Sequence, residues 1–271
     1  MPAFYTHERF GEKVIQYLPP DFADFLKKHF SVFRIGLQGP DILFYHKPLS
    51  SNPVKARGVE LHHKSGDAFF VEQFNKAVDA SNEYKPFKIA YLCGLLCHYS
   101  LDVAFHPYIY KVEDTGVSHA KIESELDKYF LVKDGKPIRG YNTAQHIENT
   151  NVHSFVVAET FAISEEEAKR ALKTIRKLNG WFSSKSEAFH SIAHLGLRLV
   201  GMNDKFGGMF LHKDTDERCK ELCQTLADIF DDTAQATAKR LEKFFENVET
   251  KKQIERLDEF FKNTYRGEKE E

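Results

Sequence analysis

Three side chains that commonly bind metal ions follow one another at intervals of four residues: His98, Asp102 and His106, in "CHYSLDVAFHP". A helix turns by about 100° per residue, so a step of four lands about 40° from its start. The three side chains therefore share one stripe of a helix, and the apolar residues around them indicate that this helix is buried. A buried imidazole or carboxylate needs a partner. Taken alone, the stretch is compatible with a His–Asp hydrogen bond in a core and with a metal site.

Candidate ligands elsewhere in the chain favour the metal site. "SHAKIE" places His119 and Glu123 four residues apart on one helix face, a spacing by which a helix offers nitrogen and oxygen to one zinc ion. The other candidates are Asp41 directly after a Gly-Pro turn, His62 or His63 on a predicted loop, and His7 at a predicted helix start. Together they predict several metal ions rather than one.

The spacing also suggests how the ligands divide. His106 precedes His119 by thirteen residues, so we expect His106, His119 and Glu123 to hold one zinc ion. The second group is expected to contain His98, Asp102, Asp41 and a loop histidine. Each pair alone is weak evidence, but the combination H-x-x-x-D-x-x-x-H-P followed by H-x-x-x-E is specific, and it predicts a multinuclear site.

The elements that must position these residues are predicted to be helices. Thr6 is expected to cap a helix from His7 to about Leu18, and Pro107 to end the buried helix 86–106. Segments 34–45 and 47–58 are predicted loops, and 134–142 is a turn-rich break. Further helices are predicted at 21–29, 65–80, after Ser118, from about 143, after the N-cap Ser164, at 184–200, at 214–248, and in the charged C-terminal stretch that follows.

No stretch alternates between apolar and polar residues over the length of a strand, so the fold class is predicted to be all-α. The 271 residues are enough for one large core or two. We predict one multi-helix domain over 1–271, with a metal-site core at 1–130 and a helical C-terminal half at 143–265.

Composition narrows the function further. The net charge is -2 and there is no long basic block, which argues against a stable nucleic-acid partner. Hydrophobic residues make up 42% of the chain, yet no apolar run reaches the roughly 18–20 residues of a membrane span. The first residues lack the pattern of a secretory signal, so we expect a cytoplasmic protein without a transmembrane segment. The oligomeric state is not predictable.

Several other residues of ligand type are predicted to be something else. His190 and His194 have ligand spacing but no third ligand near them in sequence, so we interpret them as helix-surface or core histidines. Asp127 is expected to be a surface group or to support a ligand. The four cysteines, Cys93, Cys97, Cys219 and Cys223, are interpreted as buried small hydrophobes.

The ordered motifs resemble a known family. T-H near the N-terminus, G-P-D, L-H, C-H-Y-S-L-D-V-A-F-H-P and S-H-x-x-x-E are similar to those of the zinc-dependent phospholipase C family. That family is an all-helical relative of the zinc-dependent single-strand nucleases, and it also resembles the catalytic part of glycosylphosphatidylinositol-specific phospholipase D. The similarity covers roughly residues 6–130.

The resemblance implies three zinc ions and assigns ligands to them; we expect this chain to bind two to three. Asp41, a histidine of the predicted loop, His98 and Asp102 would hold the first ion, and His106, His119 and Glu123 the second. His7 would serve a third ion that Asp102 bridges to the first. We choose His62 over His63 as the loop ligand, because His62 directly follows an apolar stretch as in bacterial members, whereas Lys64 follows His63.

The resemblance further implies a phosphodiester hydrolase in which zinc activates water to attack phosphorus, with a phospholipid or a small phosphodiester as substrate. Asp41 would orient or deprotonate that water. Aromatic residues of the segments 42–60 and 107–118 would contact substrate or simply pack on the surface: Phe44, Tyr45, Tyr108 and Tyr110. The alternatives are a zinc-dependent nuclease of the same fold and a non-catalytic helical protein that zinc stabilises.

One departure concerns the third ion. In secreted relatives a new N-terminal tryptophan completes that site, but the single tryptophan here is Trp181. Removal of Met1 would expose Pro2 five residues before His7, a spacing that resembles the nuclease branch. The third site is therefore expected either to be weak or to depend on processing to Pro2.

Overall fold

The computed structural model describes residues 3–199, 207–211 and 214–270. Throughout these ranges the chain is helical with turns between the helices and no β-strand, which confirms the all-α fold class. The α-helices are α1 Phe4–Ile15, α2 Pro20–Lys28, α3 Phe30–Gly36, α4 Pro53–His63, α5 Asp67–Val78, α6 Lys85–Glu113, α7 His119–Lys133, α8 Asn151–Phe161, α9 Glu165–Phe182, α10 Glu187–Leu199 and α11 Glu217–Glu249. Short 3-10 helices lie at Gly39–Tyr45, Gly207–Met209 and Glu259–Lys262.

Helix α6 is the centre around which the other helices pack. Its side chains are buried almost continuously from Ile89 to Asp102, because α3, α1, α5, α7 and α11 lie against different sides of it. By length and composition α6 would pass as a membrane span, but 89% of its most apolar window is buried inside the protein. This burial is typical of the core helix of a globular fold. Helix α11 also contacts α1, α5 and α7. That residues 1–271 form one domain stays a prediction.

Two glycines set the distance between α3 and α6. A Cβ atom added to Gly36 would collide with the carbonyl oxygen of Tyr91, and one added to Gly94 would collide with that of Phe33. The two helix backbones therefore touch here, as only glycine allows. This contact lies one turn before His98, so the close approach fixes where the ligand stripe of α6 lies relative to α3.

The prediction that Pro107 ends the buried helix is wrong, because α6 continues to Glu113. Proline inside a helix removes the hydrogen bond to the carbonyl four residues earlier, which is that of Val103. The C-terminal segment covers this place: a Cβ atom on Gly267 would lie 2.6 Å from both the Val103 oxygen and the Pro107 ring. The C-terminal segment therefore packs directly against the turn that Pro107 interrupts.

The predicted start of α1 is also wrong. The helix begins at Phe4 rather than His7, so Thr6 lies inside it and does not cap it. Asp127 of α7 takes the place of a local cap, since its carboxylate accepts the backbone N–H groups of Tyr5 at 3.1 Å and Thr6 at 2.8 Å. A cap supplied from 121 residues away leaves no local signal in the sequence.

Two predicted loops are largely helical. The segment 34–45 contains the end of α3 and the 3-10 helix Gly39–Tyr45. The segment 47–58 contains the start of α4, which has Asn52 as N-cap and Pro53 at its first position. His62 therefore lies in the last turn of a helix and not on a loop. Ser164 begins α9 as predicted, with a capping box to Glu167.

The second half departs from the predicted boundaries at both ends. The first helix after the turn-rich break starts at Asn151 rather than near 143. Helix α11 agrees closely with the predicted 214–248 stretch, since it spans Glu217–Glu249. The charged stretch after α11 is not the continuous helix expected. It forms the 3-10 helix Glu259–Lys262 and then an extended return, with isolated bridges of Ser65 to Thr264 and Asn263 to Lys269.

We expect Gly94→Ala to lower the free energy of unfolding by at least about 2 kcal/mol, because the new methyl group must separate α6 from α3. Urea unfolding followed by circular dichroism measures the change. The control is Gly196→Ala in α10, where a Cβ atom would have no neighbour within 4 Å. It should stabilise the protein by up to about 1 kcal/mol through helix propensity. Equal unfolding midpoints for wild type and Gly94→Ala would show that this helix contact does not constrain the fold.

Candidate metal centre

The carboxylate of Asp102 lies among three histidines. His98 and His106 flank it on α6, and His7 reaches it from α1. The His7 Nε2 is 3.3 Å from Asp102 Oδ1, and the His98 Nε2 is 3.2 Å from Asp102 Oδ2. The ligating atoms of His7, His98 and Asp102 all lie within 4.8 Å of one another, and the three side chains are buried. The structure thus brings together residues that are 95 positions apart in sequence.

The 3-10 helix Gly39–Tyr45 places Asp41 beside His98, the histidine that also approaches Asp102. Asp41 Oδ1 is 3.0 Å from the His62 Nε2, and its Oδ2 is 3.9 Å from the His98 Nε2. Gly39 makes this approach possible, because it has a positive φ of 51° and a Cβ atom there would collide with the His98 ring. The Gly-Pro-Asp sequence therefore serves both the turn and the close contact. Asp41, His62 and His98 form a second group within 4.8 Å.

A third group of candidate ligands lies where the stripe of α6 ends at His106. The His119 Nε2 is 3.4 Å from Glu123 Oε1 one turn along α7, and the rings of His106 and His119 are 5.4 Å apart. His106, His119 and Glu123 satisfy the same 4.8 Å limit. Asp102 connects the groups, since its Oδ2 also lies 3.9 Å from the His106 Nδ1.

Each of four histidines has its Nδ1 beside an oxygen acceptor. His98 donates to the Leu37 carbonyl at 3.1 Å, His62 to the Gly58 carbonyl at 2.7 Å and His106 to the Tyr265 carbonyl at 2.6 Å. His119 donates to the Glu113 carboxylate at 3.1 Å. Because these oxygens only accept, Nδ1 carries a proton in each of the four rings, which leaves Nε2 as the nitrogen that a metal ion could take. Hydrogen bonds of this kind orient histidine ligands in metal sites.

Electrostatics at the centre favour a bound cation. Burial alone raises the pKa of Asp41, but His62 and His98 outweigh it and lower that pKa to about 2. Burial also opposes ionisation of Asp102, yet His98, His106 and His7 hold its pKa well below the usual value. Both carboxylates are therefore ionised at neutral pH in a site shielded from water. Burial lowers the pKa of His98, while Asp102 and Asp41 raise it to about 9.

The residues present fit zinc. Within the part of the chain that the structure describes, the buried His98 Nε2 has no hydrogen-bond partner, although two carboxylates lie near it. The groups offer imidazole nitrogen and carboxylate oxygen, the ligand types of catalytic zinc sites. His98 would hold an ion with His62 and Asp41, and His106 one with His119 and Glu123. Pro2, the expected further ligand beside His7, lies outside the described residues.

Asp127, expected either at the surface or in support of a ligand, is buried in the contact between α7 and α1. Besides the two backbone groups it accepts the Thr6 hydroxyl at 2.8 Å. Burial raises the pKa of Asp127 to about 7 although the hydrogen bonds from Thr6 and Tyr5 lower it. The contact fixes the first turn of α1, in which His7 follows Thr6, so Asp127 positions that histidine.

Aromatic residues contact the ligand rings. Phe44 lies 5.3 Å from His62, and Tyr110 lies 5.5 Å from His106 and 5.9 Å from His119, measured between ring centroids. Tyr45, by contrast, is fully buried and is not a surface-loop residue. It lines a cavity of about 30 Å³ together with Glu123 and Asp127.

The C-terminal segment is the part of the centre that sequence analysis missed. The Tyr265 carbonyl accepts a hydrogen bond from the His106 Nδ1. The Tyr265 ring lies 5.2 Å from the His62 ring and 5.8 Å from the His98 ring, measured between centroids. A backbone acceptor can come from any residue type, so the sequence held no signal for it. The guanidinium of Arg266 lies over the Tyr110 ring at 4.7 Å.

His190 and His194 lie away from this centre. Their rings pack on Phe210 at 5.0 and 4.8 Å, and neither belongs to a group of three or more potential ligands within residues 3–199, 207–211 and 214–270. All four cysteines are buried and free.

The family model for Zinc dependent phospholipase C matches residues 6–174, well over half of the chain. The chain belongs to the zinc-dependent phospholipase C family. All eight predicted ligands lie within the matched residues. Among curated proteins and solved structures we found no significant match. The ligand assignments themselves stay predictions.

The adjacent residues His62 and His63 provide a matched pair of variants for testing the candidate metal centre. We expect His62→Ala to lower the zinc content of the purified protein, because the Nε2 that lies 3.0 Å from Asp41 is lost. His63→Ala should leave it unchanged, since His63 is exposed and its Nε2 faces Arg266 at 3.4 Å. Inductively coupled plasma mass spectrometry measures both. Equal losses, or a loss only in His63→Ala, would contradict the choice of His62.

A truncation tests the role of the Tyr265 carbonyl. A chain that ends after Lys262 should bind zinc at the His106 group about 10- to 100-fold more weakly, because the acceptor that orients the imidazole is removed. A chain that ends after Lys269 is the control, since it retains Tyr265 and Gly267. Competition with a zinc chelator measures the affinity. Equal affinities in the two chains would show that the C-terminal segment does not support the ligand.

Proposed function

We propose that this chain is a zinc-dependent phosphodiester hydrolase of the phospholipase C type, which binds two to three zinc ions and acts on a phospholipid or a small phosphodiester. The observation that carries the proposal is the arrangement of three adjacent ligand groups, two sharing His98 and all connected through Asp102. A structural zinc site has one closed set of four ligands. Adjacent groups of three ligands instead leave positions for water and substrate oxygens, as in hydrolases with several metal ions.

Zinc, when bound, acts as a Lewis acid that lowers the pKa of water toward neutrality and stabilises negative charge on phosphoryl oxygens. The chain's own residues hold the ions and exclude water from their inner side, because His98 and Asp102 belong to the apolar core. The four Nδ1 hydrogen bonds keep the imidazoles in the ligating tautomer, so no reorganisation is needed when substrate binds.

Asp41 is the residue to which we assign a catalytic role. Its carboxylate contacts His62 and His98 of the second group, and 7% of the residue is exposed. The two roles expected for Asp41 are orientation of the attacking water by a hydrogen bond and removal of its proton. Both need an ionised carboxylate, and His62 and His98 hold the pKa of Asp41 below its usual value.

We expect Asp41→Asn to reduce hydrolysis of bis(4-nitrophenyl) phosphate and of a short-chain phosphatidylcholine by about 100-fold or more, because the amide keeps the shape but loses the charge. Glu72→Gln on α5 is the control, since it makes the same chemical change on an exposed residue. Initial rates are measured together with zinc content.

Each outcome of this experiment separates the candidate functions. Wild-type activity in Asp41→Asn would remove Asp41 from the chemistry. A wild-type protein that contains zinc but hydrolyses neither of these two phosphodiesters nor single-stranded DNA would support a non-catalytic, zinc-stabilised protein. Faster hydrolysis of single-stranded DNA than of phosphatidylcholine would favour the nuclease.

A further inference from the structure

Helix α10 exposes an unusual amount of apolar surface. Ile192, Leu195 and Leu199 lie at positions i, i+3 and i+7, so they form one stripe, and they are 70%, 59% and 79% exposed. Among the described residues, eight large hydrophobic side chains are exposed. Five of the eight lie in or beside α10: the three residues of the stripe, together with Leu49 and Trp181. Such clustering marks an interaction surface rather than scattered surface residues.

A groove runs along α10 next to this stripe. It has a volume of about 570 Å³, and its apolar lining includes Leu49, Leu178, Trp181, Phe189, Leu197 and Phe210. Phe182 lines the groove as well, and it also lines the small cavity that contains Glu123. Phe182 therefore separates the groove from the cavity that Glu123 lines.

The charge around this surface is strongly positive. Between Lys173 and Leu199, the part of the sequence that borders the groove, there are five Lys and Arg residues and a single acidic residue, Glu187, in a chain whose net charge is -2. Lys173, Arg176 and Lys177 are exposed on α9 beside the groove, and Lys177 lies 4.9 Å from the Trp181 ring. An apolar stripe bordered by cations matches a surface of acyl chains and anionic headgroups.

We propose that α10 and the adjoining end of α9 form a docking surface for an anionic phospholipid bilayer. The stripe and Trp181 enter the headgroup region, and the lysines and arginines contact the phosphates. A second copy of the chain is a poorer occupant, because a symmetric dimer would place the two basic surfaces against each other. The proposal rests on the proposed function in that docking brings lipid phosphodiesters beside the metal centre.

Trp181 allows a direct test, because it is the single tryptophan and lies on the docking surface. Emission is recorded within seconds of mixing the zinc-loaded protein with phosphatidylcholine vesicles, with and without about 30 mol% phosphatidylserine. We expect a blue shift and quenching by brominated phosphatidylcholine, both stronger with phosphatidylserine. Leu195→Glu with Leu199→Glu should weaken vesicle binding about tenfold or more. Val132→Glu, an equally exposed apolar position on α7, should bind like wild type.

Activity on soluble bis(4-nitrophenyl) phosphate, measured in parallel, separates this proposal from the proposed function. Unchanged emission in a protein that hydrolyses the soluble ester would overturn the docking surface alone. Docking by a protein without hydrolytic activity would support the surface while the proposed function failed. Equal weakening by Val132→Glu, or a blue shift that needs only higher protein concentration, would also overturn the proposal, the latter because it indicates a dimer.

Discussion

Asp102 is an ionised carboxylate enclosed by an apolar helix core, and the arrangement of the metal centre follows from the need to balance its charge. Burial of an isolated charge costs several kcal/mol or more of folding free energy. For the same reason, removal of one partner from a buried ion pair is strongly destabilising. Here His7, His98 and His106 approach the same carboxylate from α1 and α6. The rings of His7 and His98 are stacked with centroids 4.3 Å apart, so protonation of both would place like charges together. A divalent cation would resolve this conflict, and its binding would stabilise the folded chain.

The ligands are oriented by the fold rather than by one another. The acceptors for His98, His62 and His106 are backbone carbonyls, which no substitution of a side chain removes. Two of these carbonyls, those of Leu37 and Tyr265, belong to segments far from their histidines in sequence. Displacement of either segment therefore changes the orientation of an imidazole, so packing at a distance and metal affinity are coupled.

The sequence predicted what depends on local spacing and missed what depends on tertiary contact. The stripe of His98 and Asp102 was predictable because four-residue steps have one meaning on a helix. Continuation of the helix through Pro107 was not, because proline normally ends or kinks a helix and the segment packed against that turn lies far away in sequence. The start of α1 was misplaced because its cap comes from Asp127, and no side-chain pattern identifies the carbonyl of Tyr265. The segments 34–45 and 47–58 were predicted as loops because glycine and proline interrupt them, whereas the 3-10 helix Gly39–Tyr45 packs against α4 and α9, helices that come later in the chain.

The hydrogen bond between His106 and Tyr265 joins residues 159 positions apart, which has a consequence for biosynthesis. At about 5–20 residues per second, the ribosome makes the acceptor roughly 10–30 s after the histidine. During that interval the His106 imidazole has no fixed tautomer, and a metal ion can bind through either nitrogen. The nascent chain already carries every one of the eight candidate ligands, yet the group around His106 is incomplete until the return segment docks. Completion of the candidate group around His106 would therefore wait for synthesis and docking of the return segment, and excess free zinc before that point would favour misligated chains.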